Sequence, residues 1–201
     1  GAGKLVVGDA GHHRVLVFAS VPDGPGALPD LVLGQPDFVS CEPNRGGPPG
    51  PNTLNDVVDV WTDGDRLLVA DGGNNRVLLW TSFPTLNGQP ADLVLGQADL
   101  TSASEGISAS RMNDPYYLHS NGTQIAVADA GNHRTLIWNT FPTANGTEAD
   151  VVLGQASFTD AAAPLAPSAS DFTPMGVLFG PDLLVVVDEA FHRVLVFTAS
   201  P

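Results

Sequence analysis

One hairpin is written four times in this chain. It reads VGDAGHHRVLVF at Val7–Phe18, VADGGNNRVLLW at Val69–Trp80, VADAGNHRTLIW at Val127–Trp138 and VVDEAFHRVLVF at Val186–Phe197. Aligned on Arg14, Arg76, Arg134 and Arg193, the copies are 62, 58 and 59 residues apart. A period this regular narrows the fold more than any other feature. Each copy must belong to one supersecondary unit that buries its apolar faces against its neighbours.

More of the unit recurs around the hairpin. A proline step follows the first three copies: SVPDGPG at 20–26, SFPTLNG at 82–88 and TFPTANG at 140–146. An apolar segment comes next: PDLVLGQ at 29–35, ADLVLGQ at 91–97 and ADVVLGQ at 149–155. After a variable loop, LNDVVDVWTDGD, MNDPYYLHSNGT and FTPMGVLFGPDL lead from Leu54, Met112 and Phe172 into the next hairpin. Each full unit therefore predicts four short strands, bounded by turn residues and rich in β-branched side chains. D-G-D at 63–65 and N-G-T at 121–123 mark tight turns between the first and second of them. Four-stranded units at this period predict an all-β chain: a β-propeller of antiparallel blades, about four in this chain and open to being part of a larger propeller. The units run approximately 1–53, 54–111, 112–171 and 172–201 within a single domain, 1–201. The first lacks its first strand and the last lacks its fourth. A closed four-bladed ring, an open array, and a window or partner in a larger propeller are all compatible with that count.

V-A-D-A-G-N-H-R at 127–134 and V-A-D-G-G-N-N-R at 69–76, with the altered V-G-D-A-G-H-H-R at 7–14 and V-V-D-E-A-F-H-R at 186–193, resemble the core signature of the NHL-repeat β-propellers. The added A-D-L-V-L-G-Q segment and the long loops look like a long-repeat bacterial variety of that family. The resemblance spans essentially the whole chain. It implies a secreted, periplasmic or cell-surface protein that acts as a scaffold or protein-interaction module. A minority of such propellers are metal-assisted lyases or hydrolases, and others bind small molecules or RNA. A chain that opens Gly-Ala-Gly without Met fits a processed or excerpted N-terminus.

The charge balance limits the partners. Twenty-two acidic residues against eight Lys and Arg give a net charge of −14, which repels nucleic acid and anionic membranes. Other protein chains or further propeller blades remain the expected partners. No apolar run is long enough to span a membrane as a helix. The single cysteine, Cys41, excludes an intrachain disulfide and a Cys-based zinc site.

The recurring polar residues read as architecture. Asp9, Asp71, Asp129 and Asp188 end the second strand, and Arg14, Arg76, Arg134 and Arg193 open the third, five residues later. Such a pair clamps a hairpin or links blades, and one active site has no use for four copies. Gly11, Gly73 and Gly131 are expected to supply a positive φ in the turn. His13, His133 and His192 share one repeat position with Asn75, which suits a tight turn better than a metal. Gln35, Gln97 and Gln155 are expected to bond between blades.

Function is sought where the repeat diverges. The first strand would line the central channel, and its copies differ. Asp56, Asp59, Asn113, Asp114 and His119 are the low-ranking candidates for a Ca²⁺ or Zn²⁺ site at the channel mouth, since carboxylate and amide oxygens suit Ca²⁺. Trp61, Tyr116 and Tyr117 are the candidates for stacking on a glycan or peptide. No nucleophile elbow, zinc-protease helix, P-loop or EF-hand loop occurs. The expectation is a non-enzymatic chain without a catalytic set or resident cofactor. A metal-assisted propeller enzyme and a glycan- or peptide-binding module are the alternatives.

Overall fold

A computed structural model describes residues 3–198. The chain is all-β, with four antiparallel sheets of three or four strands each. The first sheet holds β1 (Leu5–Asp9), β2 (Arg14–Phe18) and β3 (Leu31–Leu33). The second holds β4 (Val57–Thr62), β5 (Leu67–Asp71), β6 (Arg76–Trp80) and β7 (Leu93–Leu95). The third repeats it with β8 (Pro115–Ser120), β9 (Ile125–Asp129), β10 (Arg134–Trp138) and β11 (Val151–Leu153). The fourth contains β12 (Pro174–Gly180), β13 (Leu183–Asp188) and β14 (Arg193–Thr198). Strand order follows chain order in every sheet, so each is a simple meander.

The hairpin register is the same each time. Asp9 pairs with Arg14, Asp71 with Arg76, Asp129 with Arg134 and Asp188 with Arg193. Between β4 and β5, Thr62 Oγ1 and the Asp63 carboxylate collect the turn's N–H groups. Ser120 and Asn121 do the same between β8 and β9.

Consecutive sheets face one another. First strands pack side by side, β4 on β8 and β8 on β12, and β1, the second strand of its unit, packs on β4. Three apolar layers lie between the sheets. Val15, Val17 and Leu33 meet Leu67, Val69, Leu78 and Trp80 in the first. Leu68, Ala70, Val77 and Leu79 meet Ile125, Val127, Leu136 and Trp138 in the second. Ala126 and Ile137 meet Leu184, Val186, Leu195 and Phe197 in the third. Alternate residues of one strand thus belong to different layers, and every residue of β5, β6, β9 and β10 is buried. This is why those strands read as continuous apolar runs.

The outer sheets have the same sequence pattern but only one neighbour each. In β14, Val194, Val196 and Thr198 are exposed and alternate with half-buried residues. In β1, Val7 and Gly8 are exposed. β12 does not pack on β1 as β8 packs on β12 or β4 on β1. The described residues therefore form an open succession of four sheets and not a closed four-sheet ring.

The two kinds of position should respond differently to truncation. Leu78→Ala, deep in the first layer, should lower the unfolding free energy by about 2–5 kcal/mol. Val196→Ala, on the open face of β14, should change it by less than about 0.5 kcal/mol. Urea unfolding followed by circular dichroism checks both.

Candidate functional site

Each hairpin turn is built around its Asp. After Asp71 and Asp129 the chain makes one 3-10 turn, Gly72–Asn74 and Ala130–Asn132, before the third strand begins. Asp71 accepts the Asn55 N–H at 2.7 Å, the Asn74 amide at 2.8 Å and Arg76 Nε at 2.7 Å. Asp129 accepts the Asn113 N–H, the Asn132 amide and Arg134 Nε in the same way. Both ion pairs are wholly closed to solvent. Burial pushes the Asp71 and Asp129 carboxyls up, and the arginine and the converging donors oppose that shift. In the fourth sheet Asp188 holds the Thr173 N–H and Arg193 Nε.

The other arginine nitrogens reach the long loops. Arg76 donates from Nη2 to the carbonyls of Gly50 and Thr53, in the loop before its sheet. From Nη1 it donates to Leu100, in the loop after it. Arg134 likewise bonds Ser108 and Arg111 on one side and Phe158 on the other. One buried guanidinium therefore ties a hairpin to the loops on both sides.

Two details differ from the sequence expectation. Gly11, Gly73 and Gly131 do not have positive φ. That conformation falls on His13, Asn75, His133 and His192, with φ of 51–53°, which Asn and His tolerate well. Gly73 and Gly131 answer a different need, because a Cβ there would lie 2.5–2.9 Å from Asn55 or Asn113. Gln35, Gln97 and Gln155 all bond within their own unit, Gln155 through Nε2 to His133 O and Ala162 O. Gln97 Nε2 donates to Asn75 O and Ser104 O, and Gln35 Nε2 to His12, His13 and Glu42 carbonyls.

The His/Asn position reaches forward to the next unit. His13 Nδ1 accepts the Asp56 N–H and Asn75 Oδ1 accepts the Asp114 N–H, each at 2.9 Å. His133 Nδ1 lies 2.8 Å from Thr173 Oγ1. Imidazole Nδ1 and amide Oδ1 can both supply an acceptor there, which accounts for the interchange. Asn87 and Asn145 make the reverse link, accepting the N–H groups of Val32 and Val94 at 3.0 Å. Both asparagines stand within the proline step, and neither has a role assigned from sequence. The signal was their position in both P-T-x-N-G steps.

The divergent first-strand residues come together only in part. Asp56 and Asp114 both have positive φ, 58° and 51°. Burial raises the Asp114 carboxyl, and the charge of Asp56 raises it further. Asn113 lies in the turn network already described. Asp59 accepts the N–H of Val60 and, across to the next sheet, that of Leu118 at 2.9 Å. Its carboxyl is pushed up by burial. His119 Nδ1 accepts the Phe179 N–H at 3.2 Å, again across sheets, and burial lowers its pKa. Among the described residues no three His, Cys, Asp or Glu side chains converge as a metal site.

Of the aromatic candidates, Trp61 packs in the layer between the second and third sheets, 6.0 Å from Phe141. It is half-buried there. Tyr116 and Tyr117 lie 5.6 Å apart, and Tyr117 is exposed. A hollow of about 380 Å³ between the third and fourth sheets is lined by Ile137, Leu153, Phe179, Leu184 and Phe197, and includes none of the candidate residues. No helix among the described residues is long and apolar enough to cross a membrane. No known family model and no curated protein matches the chain.

Removing one arginine of a buried pair strands a carboxylate and three carbonyls. Arg134→Ala should cost about 3–5 kcal/mol in urea unfolding. His119 gives a pH signature. Its folded pKa lies below the unfolded 6.5, so the stability its neutral ring contributes is complete above 6.5 and is lost as pH falls through the folded value. The loss of stability on acidification across that window should be smaller in His119→Asn, and an unchanged pH profile would refute this assignment.

Proposed function

We propose that this chain is a non-enzymatic, extracytoplasmic β-propeller scaffold of the NHL-repeat kind, working through contacts with other proteins. The observation that carries this reading is the use already made of the recurring polar groups. Apart from His192, the Asp, Arg, Asn and His side chains of the hairpins are engaged in bonds within or between units. Asp59 and His119, the most chemically suggestive residues of the first strands, are engaged in the same way. What remains for partners is surface: loops near 41–53, 101–111 and 160–171, on a protein of net charge −14. Loops held by a rigid frame are suited to recognition. Side-by-side first strands with later strands further out favour radial sheets. The location outside the cytoplasm rests on the resemblance of the hairpins to NHL repeats.

A second reading has one observation in its favour. Asp56 and Asp114 occupy equivalent entry turns before β4 and β8, both with positive φ, and two such carboxylates could share a cation, as a metal-assisted lyase or hydrolase would require. Tyr117, exposed beside Tyr116, is the corresponding point for glycan or peptide stacking.

Metal dependence separates the readings. A ligand that binds only the folded chain raises its stability by RT ln(1 + [L]/Kd). Dialysed against chelator and returned to millimolar Ca²⁺ or Zn²⁺, the scaffold should show no change in Tm. A rise abolished by Asp114→Asn would support the enzyme reading instead.

A further inference from the structure

The fourth sheet leaves uncovered, all together, the groups that each earlier hairpin uses to hold its fourth strand and following loop and to receive the next unit. In the first three sheets the third strand pairs with a fourth: β2 with β3, β6 with β7 and β10 with β11. β14 has only β13, and its other edge is unpaired among the described residues. Arg14, Arg76 and Arg134 each donate from Nη1 to a carbonyl in the loop after that fourth strand: Phe38, Leu100 and Phe158. Among the described residues Arg193 donates from Nε and Nη2 alone, to Asp188 and to the Ser168 and Asp171 carbonyls. Its side chain is 27% exposed where Arg76 and Arg134 are at 0%. His192 has the same left-handed turn as His13, Asn75 and His133, yet its ring has no hydrogen-bond partner among the described residues.

The apolar face tells the same story. The forward side of the third sheet carries Ala128, Thr135 and Ile137, exposed by 0, 0 and 8%. The equivalent residues of the fourth are Val187, Val194 and Val196, exposed by 44, 58 and 58%, with Leu178 beside them at 50%. A hollow of about 400 Å³, with Met175, Val187, His192 and Val194 in its lining, lies on this side. At the inner interfaces a side chain from the next unit fills the corresponding ground. Leu54, Met112 and Phe172 are buried there, close against Gly34, Gly96 and Gly154.

We infer that the forward face of the fourth sheet, with the free edge of β14, is a docking surface for a further unit of this same repeat. The occupant is specified by the three interfaces already present. It brings a D-L-V-L-G-Q strand that pairs antiparallel with β14, and a following loop whose carbonyl takes Arg193 Nη1. It then brings an apolar plug of the Leu54, Met112 and Phe172 kind, and a first strand whose entry turn meets His192. An edge strand and an exposed valine face left uncovered would be an aggregation hazard. The proposal deepens the scaffold reading by naming its partner.

The test is a chain in which a second copy of residues 139–198 follows Thr198, compared with the original by amide hydrogen exchange. In the extended chain the β14 amides should exchange at least tenfold more slowly, approaching those of β10. Val196→Lys should be tolerated in the original chain and should abolish that protection in the extended one. Unchanged exchange at β14, or an added unit whose own strands stay unprotected, would overturn the proposal. So would protection of β14 in the original chain through self-association that Val196→Lys abolishes, since the face would then belong to a second copy. These outcomes do not depend on metal or turnover, on which the proposed function would fail separately.

Discussion

A guanidinium closed away from water, held by a carboxylate five residues before it, is the interaction on which the rest of this structure depends. Desolvating both charges is costly, and only dense hydrogen bonding recovers that cost. Arg76 and Arg134 meet the condition by bonding the Asp and three loop carbonyls each. Asp71 and Asp129 meet it by accepting a backbone N–H and a side-chain amide besides the arginine. The result is a joint between a hairpin and two long loops. Without it those loops would have few internal strands or helices to fix them.

The second constraint is the pair of apolar faces on every sheet. A meander of short strands apolar on both sides is not stable alone, and the stack of sheets buries what a single sheet cannot. Burial falls from complete in β6 and β10 to alternating in β14, although the three sequences RVLLW, RTLIW and RVLVF are nearly interchangeable. Position in the succession, not composition, decides the exposure of these valines and leucines. The polar links between units, from His13, Asn75, Asn87, Asn145, Asp59 and His119, fix the register of one sheet on the next.

Much of this was legible in the chain because the repeat is its own comparison. Strand positions, the meander order and the Asp–Arg pairing follow from spacing and period. Which contacts cross from one unit to the next did not. Gln97 and Asn87 are both uncharged amides at recurring positions, yet Gln97 turns back on its own hairpin and Asn87 reaches the preceding sheet. The left-handed residue of the turn was assigned to glycine by general preference. The 3-10 turn instead delays it to His13, Asn75, His133 and His192. Asp59 and His119 stood out as chemistry because they interrupt an apolar strand. Only coordinates reveal that each accepts a backbone N–H of the neighbouring sheet. Asp56 and Asp114, offered as parts of a larger set, belong to no converging group of three acidic, imidazole or thiol side chains among the described residues.

The claim that the Asp–Arg hairpin is a structural joint is tested most directly by a double-mutant cycle on Asp129 and Arg134. Asp129→Ala, Arg134→Ala and the double variant would be unfolded in urea beside the parent chain. Groups acting as one unit are non-additive. The account predicts that the double variant is no less stable than the worse single variant, with a coupling energy of about 2 kcal/mol or more. Losses that simply add, or single losses below about 1 kcal/mol, would contradict it.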